Sequence, residues 1–284
     1  MGLFGNRGPP PPDPNEHLGM TWGEMASNTQ LRAQLPAMLL LHAVLYRKFA
    51  SDKTSYFHAR PNIMAHYVPF LIAFIWMAFY GAYLWFFDPI MNDPSFDRIW
   101  GYHSQSELIV VSMLAIQSYD TPISIIVPDL RAFTFVAHHA VVLSLSVLCL
   151  RYRAFYYYAV YFLGVIELSS PWLAVVDAMR DFPAIADRFP ALNEVARVVF
   201  ALMFYAVRVF GWVPVSIEFW RDALSLLQED AAMHTMPKWV PVFWLTTHAG
   251  LTCLQAWWGF LILRAVYAMV TGDEEHRKNE AKSA

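Results

Sequence analysis

Five stretches of this chain are apolar for about as long as a helix needs to cross a bilayer. They run from Ile63 to Phe87, Ala132 to Leu150, Ala154 to Val176, Val195 to Trp220 and Val240 to Met269. The hydrocarbon core takes roughly 20 apolar residues in helix. Lipid supplies no hydrogen bonds, so an open sheet would strand its edges there, and each run is expected to be helical. A sixth run, Leu108 to Val127, is interrupted by Gln117, Asp120 and Pro122. A seventh, Leu35 to Tyr46, reaches spanning length only if Thr29 to Leu35 joins it. The expected fold is all-α: a polytopic membrane protein of six to seven transmembrane helices.

Composition points the same way. Hydrophobic types make up 57% of the chain and charged types 15%, against about 25% charge in soluble domains. A net charge of −3 offers no basic surface to nucleic acid, so that class of partner is excluded. The two cysteines, Cys149 and Cys253, lie in apolar runs and read as small buried hydrophobes.

The chain divides into a polar, Pro-rich N-terminal arm (1–34), a transmembrane domain (35–270) and a charged C-terminal tail (271–284). Pro9 to Pro12 and Pro14 favour an extended polyproline arm. No apolar core follows the start, so no cleavable secretory signal is expected, and the acidic Asp13, Glu16 and Glu24 speak against a typical transit peptide. With seven spans, Arg and Lys are somewhat richer on the side of Arg47, Arg60, Arg131, Arg180 and the tail. That side is expected to face cytosol or matrix.

The informative residues are polar ones inside the apolar runs, because such groups are costly in lipid and usually face a bundle interior. His138 and His139 lie in the run Phe133 to Val142, with Asp129 expected as N-cap of their helix. Adjacent residues sit ~100° apart on a helix, so both rings can face one wide cavity but cannot form an i,i+4 metal pair. They suit acid–base or nucleophilic catalysis; two hydrogen-bonded packing residues are the plainer alternative. In Glu167-Leu168-Ser169-Ser170-Pro171-Trp172, Pro171 removes the N–H that would serve the Glu167 carbonyl. A kink is expected there, with Ser169 or Ser170 bonding back to the freed backbone. The kink does not itself need a carboxylate, so Glu167 is expected to pair with Arg208, deep in the fifth run; a lipid phosphate or a flooded cavity is the alternative partner. Arg197 lies near enough to the end of that run to snorkel. Asp120, before Thr121-Pro122, is either a helix end or a cavity carboxylate. Thr246, Thr247, His248 and Gln255 form a polar stripe that serves either as inter-helix glue or as part of a site. His42, His58, His66, His103 and His234 fall near span ends or in loops and receive no role.

The order of these features resembles the TLC domain family, named for TRAM, LAG1 and CLN8. Similar proteins carry a Tyr-Asp pair, an acidic residue before a His-His helix, a Glu-(Ile/Leu)-Ser-(Thr/Ser)-Pro-aromatic kink, and a helix with an internal Arg. Here these are Tyr119-Asp120, Asp129, His138-His139, Glu167 to Trp172 and Arg208. Within the family the chain looks like the TLCD branch. It lacks the paired-Asp segment of ceramide synthases, and Ala174 and Val175 stand where that branch usually has Asn. The resemblance implies a helical barrel around a lipid-sized cavity faced by the His pair.

Two functional expectations follow. In the first, the protein handles membrane lipids, by acyl transfer of the ceramide-synthase type or by control of phospholipid composition. His138 or His139 is then the base or acyl-accepting nucleophile, Glu167, Arg208, Asp120 and Asp129 balance charge, and acyl-CoA is the co-substrate. No metal and no bound cofactor are expected: there is no HxxxH or HxxHH box for di-iron, and no Lys in the last span for a retinal Schiff base. In the second, the chain is a non-catalytic subunit of a larger membrane complex. Both tails, and aromatic faces such as Phe155 to Tyr158 and Trp257-Trp258, would then meet protein neighbours. The endoplasmic reticulum and the mitochondrial inner membrane are the two locations considered.

Overall fold

The computed structural model describes residues 19–228 and 236–271. The proline run, the charged tail beyond Thr271 and His234 lie outside them. Helices are α1 (Trp22–Ser27), α2 (Thr29–Ser51), α3 (Pro61–Phe87), α4 (Ser104–Ile126), α5 (Phe133–Tyr152), α6 (Tyr156–Leu163), α7 (Ser170–Asp181), α8 (Pro183–Arg188), α9 (Pro190–Met203), α10 (Trp212–Gln228) and α11 (Trp239–Thr271). Short 3₁₀ turns occupy Pro128–Leu130 and Val165–Ser169, and a π-helix occupies Phe204–Phe210.

Six of these segments are long and apolar enough to cross a membrane: Pro61–Phe87, Ser104–Ile126, Phe133–Tyr152, Tyr156–Asp181, Pro190–Gln228 and Trp239–Ala268. The interrupted run is among them, because α4 continues unbroken through Pro122. The protein is a polytopic helical bundle. Thr29 does join Leu35 to Tyr46 in one 23-residue helix, α2, capped by Asn28. That helix packs on α3 and α4 but is not among the six apolar spans.

The spans close into a ring. α3 touches α4, α4 touches α5, α5 touches α11, α11 touches the π-helix and α10, the α9–α10 span touches the α6–α7 span, and that span returns to α3. α4 is the most enclosed member, touching α2, α3, α5 and α6. Outward residues such as Phe79, Phe87, Phe210 and Tyr267 are exposed, as expected of walls that face acyl chains. The ring is tightest where α3 meets the fourth span. A Cβ on Gly164 would stand 2.9 Å from the Gly81 Cα and 2.5 Å from the Val160 carbonyl oxygen, so this crossing requires glycine.

Two expectations change, and a third, the extended proline run, lies outside the described residues. Just after that run, Thr21 caps α1 through a reciprocal capping box with Glu24, and the Met20 N–H donates to the Leu150 carbonyl at 2.9 Å. The aromatic face Phe155 to Tyr158 does not wait for a neighbour. Phe155, Tyr156 and Tyr158 are buried inside the chain's own bundle, because the α5–α6 turn puts Arg153 and Phe155 at positive φ and swings the rings inward. Asp129 does not cap the His-His helix. It sits in the preceding 3₁₀ turn, which places it too early, and Ala132 is the N-cap.

Candidate functional site

All six spans line one cavity of about 600 Å³, within the range of ligand-binding pockets. His66 comes from α3, Gln117 from α4, His138 and His139 from α5, Glu167 from the fourth span, Arg208 from the fifth, and His248 and Trp258 from α11. The sequence features read as intramembrane polar groups therefore converge on one interior.

The first cluster is built on Asp120, which is fully buried in mid-helix rather than at a helix end. Its Oδ1 lies 3.3 Å from His66 Nε2 and accepts from Ser124 Oγ at 3.2 Å. Its Oδ2 contacts His139 Nδ1. A carboxylate at Nδ1 places the imidazole proton there and leaves the Nε2 lone pair free. In that tautomer the neutral His139 ring presents Nε2 as an acceptor. His138 is half-buried; its ring centre lies 5.4 Å from that of His139 and 5.6 Å from Trp258, which it meets edge-on. His138 Nδ1 has no hydrogen-bond partner among the described residues.

The second cluster is the expected charge pair. Arg208 Nη2 stands 3.2 Å from Glu167 Oε2, both side chains being buried. The guanidinium also donates from Nε to Ser169 Oγ at 2.9 Å and from Nη2 to Ser170 Oγ at 3.1 Å, while the Ser170 hydroxyl donates to Glu167. The kink motif is thus a clasp around one arginine. At the proline, the Ser170 N–H takes the Glu167 carbonyl through a 3₁₀ turn, and Ser169 Oγ bonds the Ile166 carbonyl at 3.1 Å. Backbone geometry, rather than a serine side chain, replaces the bond that Pro171 removes.

Arg208 sits in the π-helix, a feature its sequence does not announce. Tyr161 Oη donates to the Val207 carbonyl at 2.7 Å, and a Cβ on Gly211 would stand 2.2 Å from that hydroxyl. Gly211 leaves room for the tyrosine, and the tyrosine takes a carbonyl in the widened turn. Such π-segments are common at functional sites.

Other expected residues lie outside the two clusters. Asp129 lies at the cavity rim, 3.6 Å from Arg60 Nη2. Arg60 also reaches Asp181 at 3.0 Å, and Tyr67 donates to the same carboxylate at 2.5 Å. Arg197 pairs with Glu194 one turn away, at 3.8 Å. Thr246 and Thr247 bond back to their own helix. His248 accepts from Trp220 Nε1 at 2.9 Å, so its other nitrogen, Nε2, carries the proton toward Ser216 Oγ at 3.1 Å.

Two histidines left without a role belong to the site. His66 shares Asp120 with His139 and stacks on Tyr119 at 5.7 Å. His42 Nδ1 lies 2.8 Å from the Tyr119 hydroxyl. The available signal was Tyr119-Asp120 itself, whose two polar tips both need partners when buried.

No curated protein and no solved structure matches the chain. A family model described as the TLC domain of TRAM, LAG1 and CLN8 matches residues 59–264. The match begins just before α3, ends within α11 and takes in every polar group of the two clusters, leaving α1 and α2 outside. It does not resolve the TLCD branch. By this match over most of its length, the chain belongs to the TLC domain family.

Proposed function

We propose that this protein handles acyl lipids within the membrane and transfers an acyl group from acyl-CoA to a lipid amine or hydroxyl. The observation that carries the reading is the apolar cavity into which Asp120 orients His139 beside His138. In the transfer, His139 Nε2 takes the proton of the acceptor as its nitrogen or oxygen attacks the thioester carbonyl. The C–S bond then breaks, and the departing thiolate of CoA regains that proton from the imidazolium. A positioned base of this kind contributes typically 10²–10⁴-fold. The Glu167–Arg208 clasp keeps one wall of the cavity polar and neutral overall, so a carbonyl or headgroup can be desolvated there without stranding a charge.

The test is acyl transfer by purified protein in nanodiscs, supplied with labelled acyl-CoA and mixed lipid acceptors. Labelled lipid is expected from the unaltered chain, and its loss is expected from folded His139→Ala. Equal product from both would overturn the catalytic assignment. No product, together with no acyl lipid retained on purification, would overturn the lipid reading as a whole.

A further inference from the structure

Gln117 is a polar residue of the cavity wall that neither cluster uses. It is 3% exposed, lies in mid-α4 and lines the cavity. Its Oε1 has no hydrogen-bond partner among the described residues. Its Nε2 meets the Met113 thioether at 3.5 Å, a weak acceptor. Two buried serines of the same helix are better served: Ser112 donates to Gln34 at 2.9 Å and Ser124 to Asp120 at 3.2 Å. A buried amide without partners is costly, so a carboxamide kept at this point of an apolar run is one that a ligand completes.

Its register sets it beside the oriented imidazole. Gln117 precedes Asp120 by three residues, which puts both on one face of α4, and Asp120 holds His139. The amide therefore starts about 4.5 Å along the helix axis from the carboxylate, on the side away from the Asp129 rim, toward which α4 runs. Arg208 commits Nε and Nη2 to Ser169, Ser170 and Glu167. Either amide atom of Gln117, by contrast, can turn into the cavity, because the terminal torsion of glutamine is broad and roughly two-fold. We propose that Gln117 donates an amide N–H to the carbonyl oxygen of the acyl thioester, the oxygen that gains negative charge as the acceptor activated by His139 attacks. The amide itself makes and breaks no covalent bond. When the C–S bond cleaves, the charge leaves that oxygen and the hydrogen bond weakens. A donor with no strong protein partner, in a site from which water is excluded, acts at full strength on a developing oxyanion. This rests on the acyl-transfer reading above and adds to it a catalytic residue.

Turnover of acyl-CoA in nanodiscs is the first test. Gln117→Met keeps the length of the side chain and removes the N–H. Its kcat is expected to fall by about 100–1,000-fold, with KM, melting temperature and the shape of the pH–rate profile unchanged. Gln117→Asn keeps the amide one methylene short and should fall in between, which guards against failure of the methionine variant to fold. The second test needs no turnover. It reads the infrared carbonyl band of an isotope-labelled acyl-CoA analogue in which a methylene separates the sulfur from the carbonyl. That band should lie lower on the unaltered protein than in detergent alone, and should move back up in Gln117→Met. Unchanged kcat in folded Gln117→Met, or a band that the substitution does not move, overturns the role of Gln117 and leaves acyl transfer standing. An equal loss in Gln255→Met, whose Oε1 on α11 is likewise unpartnered, marks a general effect of cavity polarity and overturns it too. Failure of the unaltered chain to bind the analogue or to turn over acyl-CoA overturns the acyl-CoA reading itself.

Discussion

The Tyr161 hydroxyl donates to the Val207 carbonyl at 2.7 Å, one residue before the buried Arg208. It ties α6 to the π-helix and fixes the arginine opposite the Glu167 kink. Tyr161→Phe removes that buried bond, which costs about 0.5–1.5 kcal/mol. Thermal unfolding in detergent is expected to show the loss.

Glu167 and Arg208 should behave as a unit. Arg208→Met strands a buried carboxylate and is expected to destabilise by ~3–5 kcal/mol. Glu167→Gln with Arg208→Met removes both charges and should cost less than the sum of the two single changes. A double-mutant cycle with no coupling energy would show that the serines, not the carboxylate, hold the guanidinium.

Asp120→Asn separates orientation from folding. The amide cannot carry the charge that faces both His66 and His139, and its NH₂ must oppose one of them. Acyl transfer is expected to fall by ~100-fold or more, with retained lipid unchanged. His66→Ala should lower transfer by less, because Ser124 still holds the carboxylate.

Asp129 provides the contrast. Its pairing with Arg60 is 3.6 Å long and half-exposed, so Asp129→Ala should change stability by less than ~1 kcal/mol. It should leave acyl transfer intact. A large effect on either would place Asp129 back among the working groups.

Gly164→Ala and Gly250→Ala should move in opposite directions. At Gly164 the new methyl meets backbone of α3 and α6 that cannot yield, and overpacking of this kind costs typically 1–3 kcal/mol. Gly250 lies in α11 with open space where a Cβ would go, and alanine should stabilise that helix by about 0.5–1 kcal/mol. Melting temperatures of the two variants in one detergent decide the matter.

The sequence alone determined the class of fold and most of the polar inventory. Lipid forbids unpaired backbone, so long apolar runs had one outcome, and a charge in such a run had to turn inward. This made His138-His139, Glu167 and Arg208 legible, and with them their meeting in one interior. Tertiary structure decided what period and hydropathy do not encode. Asp120 became the hub between two imidazoles because α4 continues through Pro122 and packs between α3 and α5. His66 and His42 entered the site only by cross-helix contact, since nothing in their own stretches separates them from interfacial histidines. Asp129 was placed at the rim because it lies inside a 3₁₀ turn, and two further residues, Arg131 and Ala132, separate that turn from the helix. The contacts that hold the π-helix and the buried rings join residues far apart in the chain, Tyr161 with Val207 and Phe155 with Trp244, which local pattern does not specify.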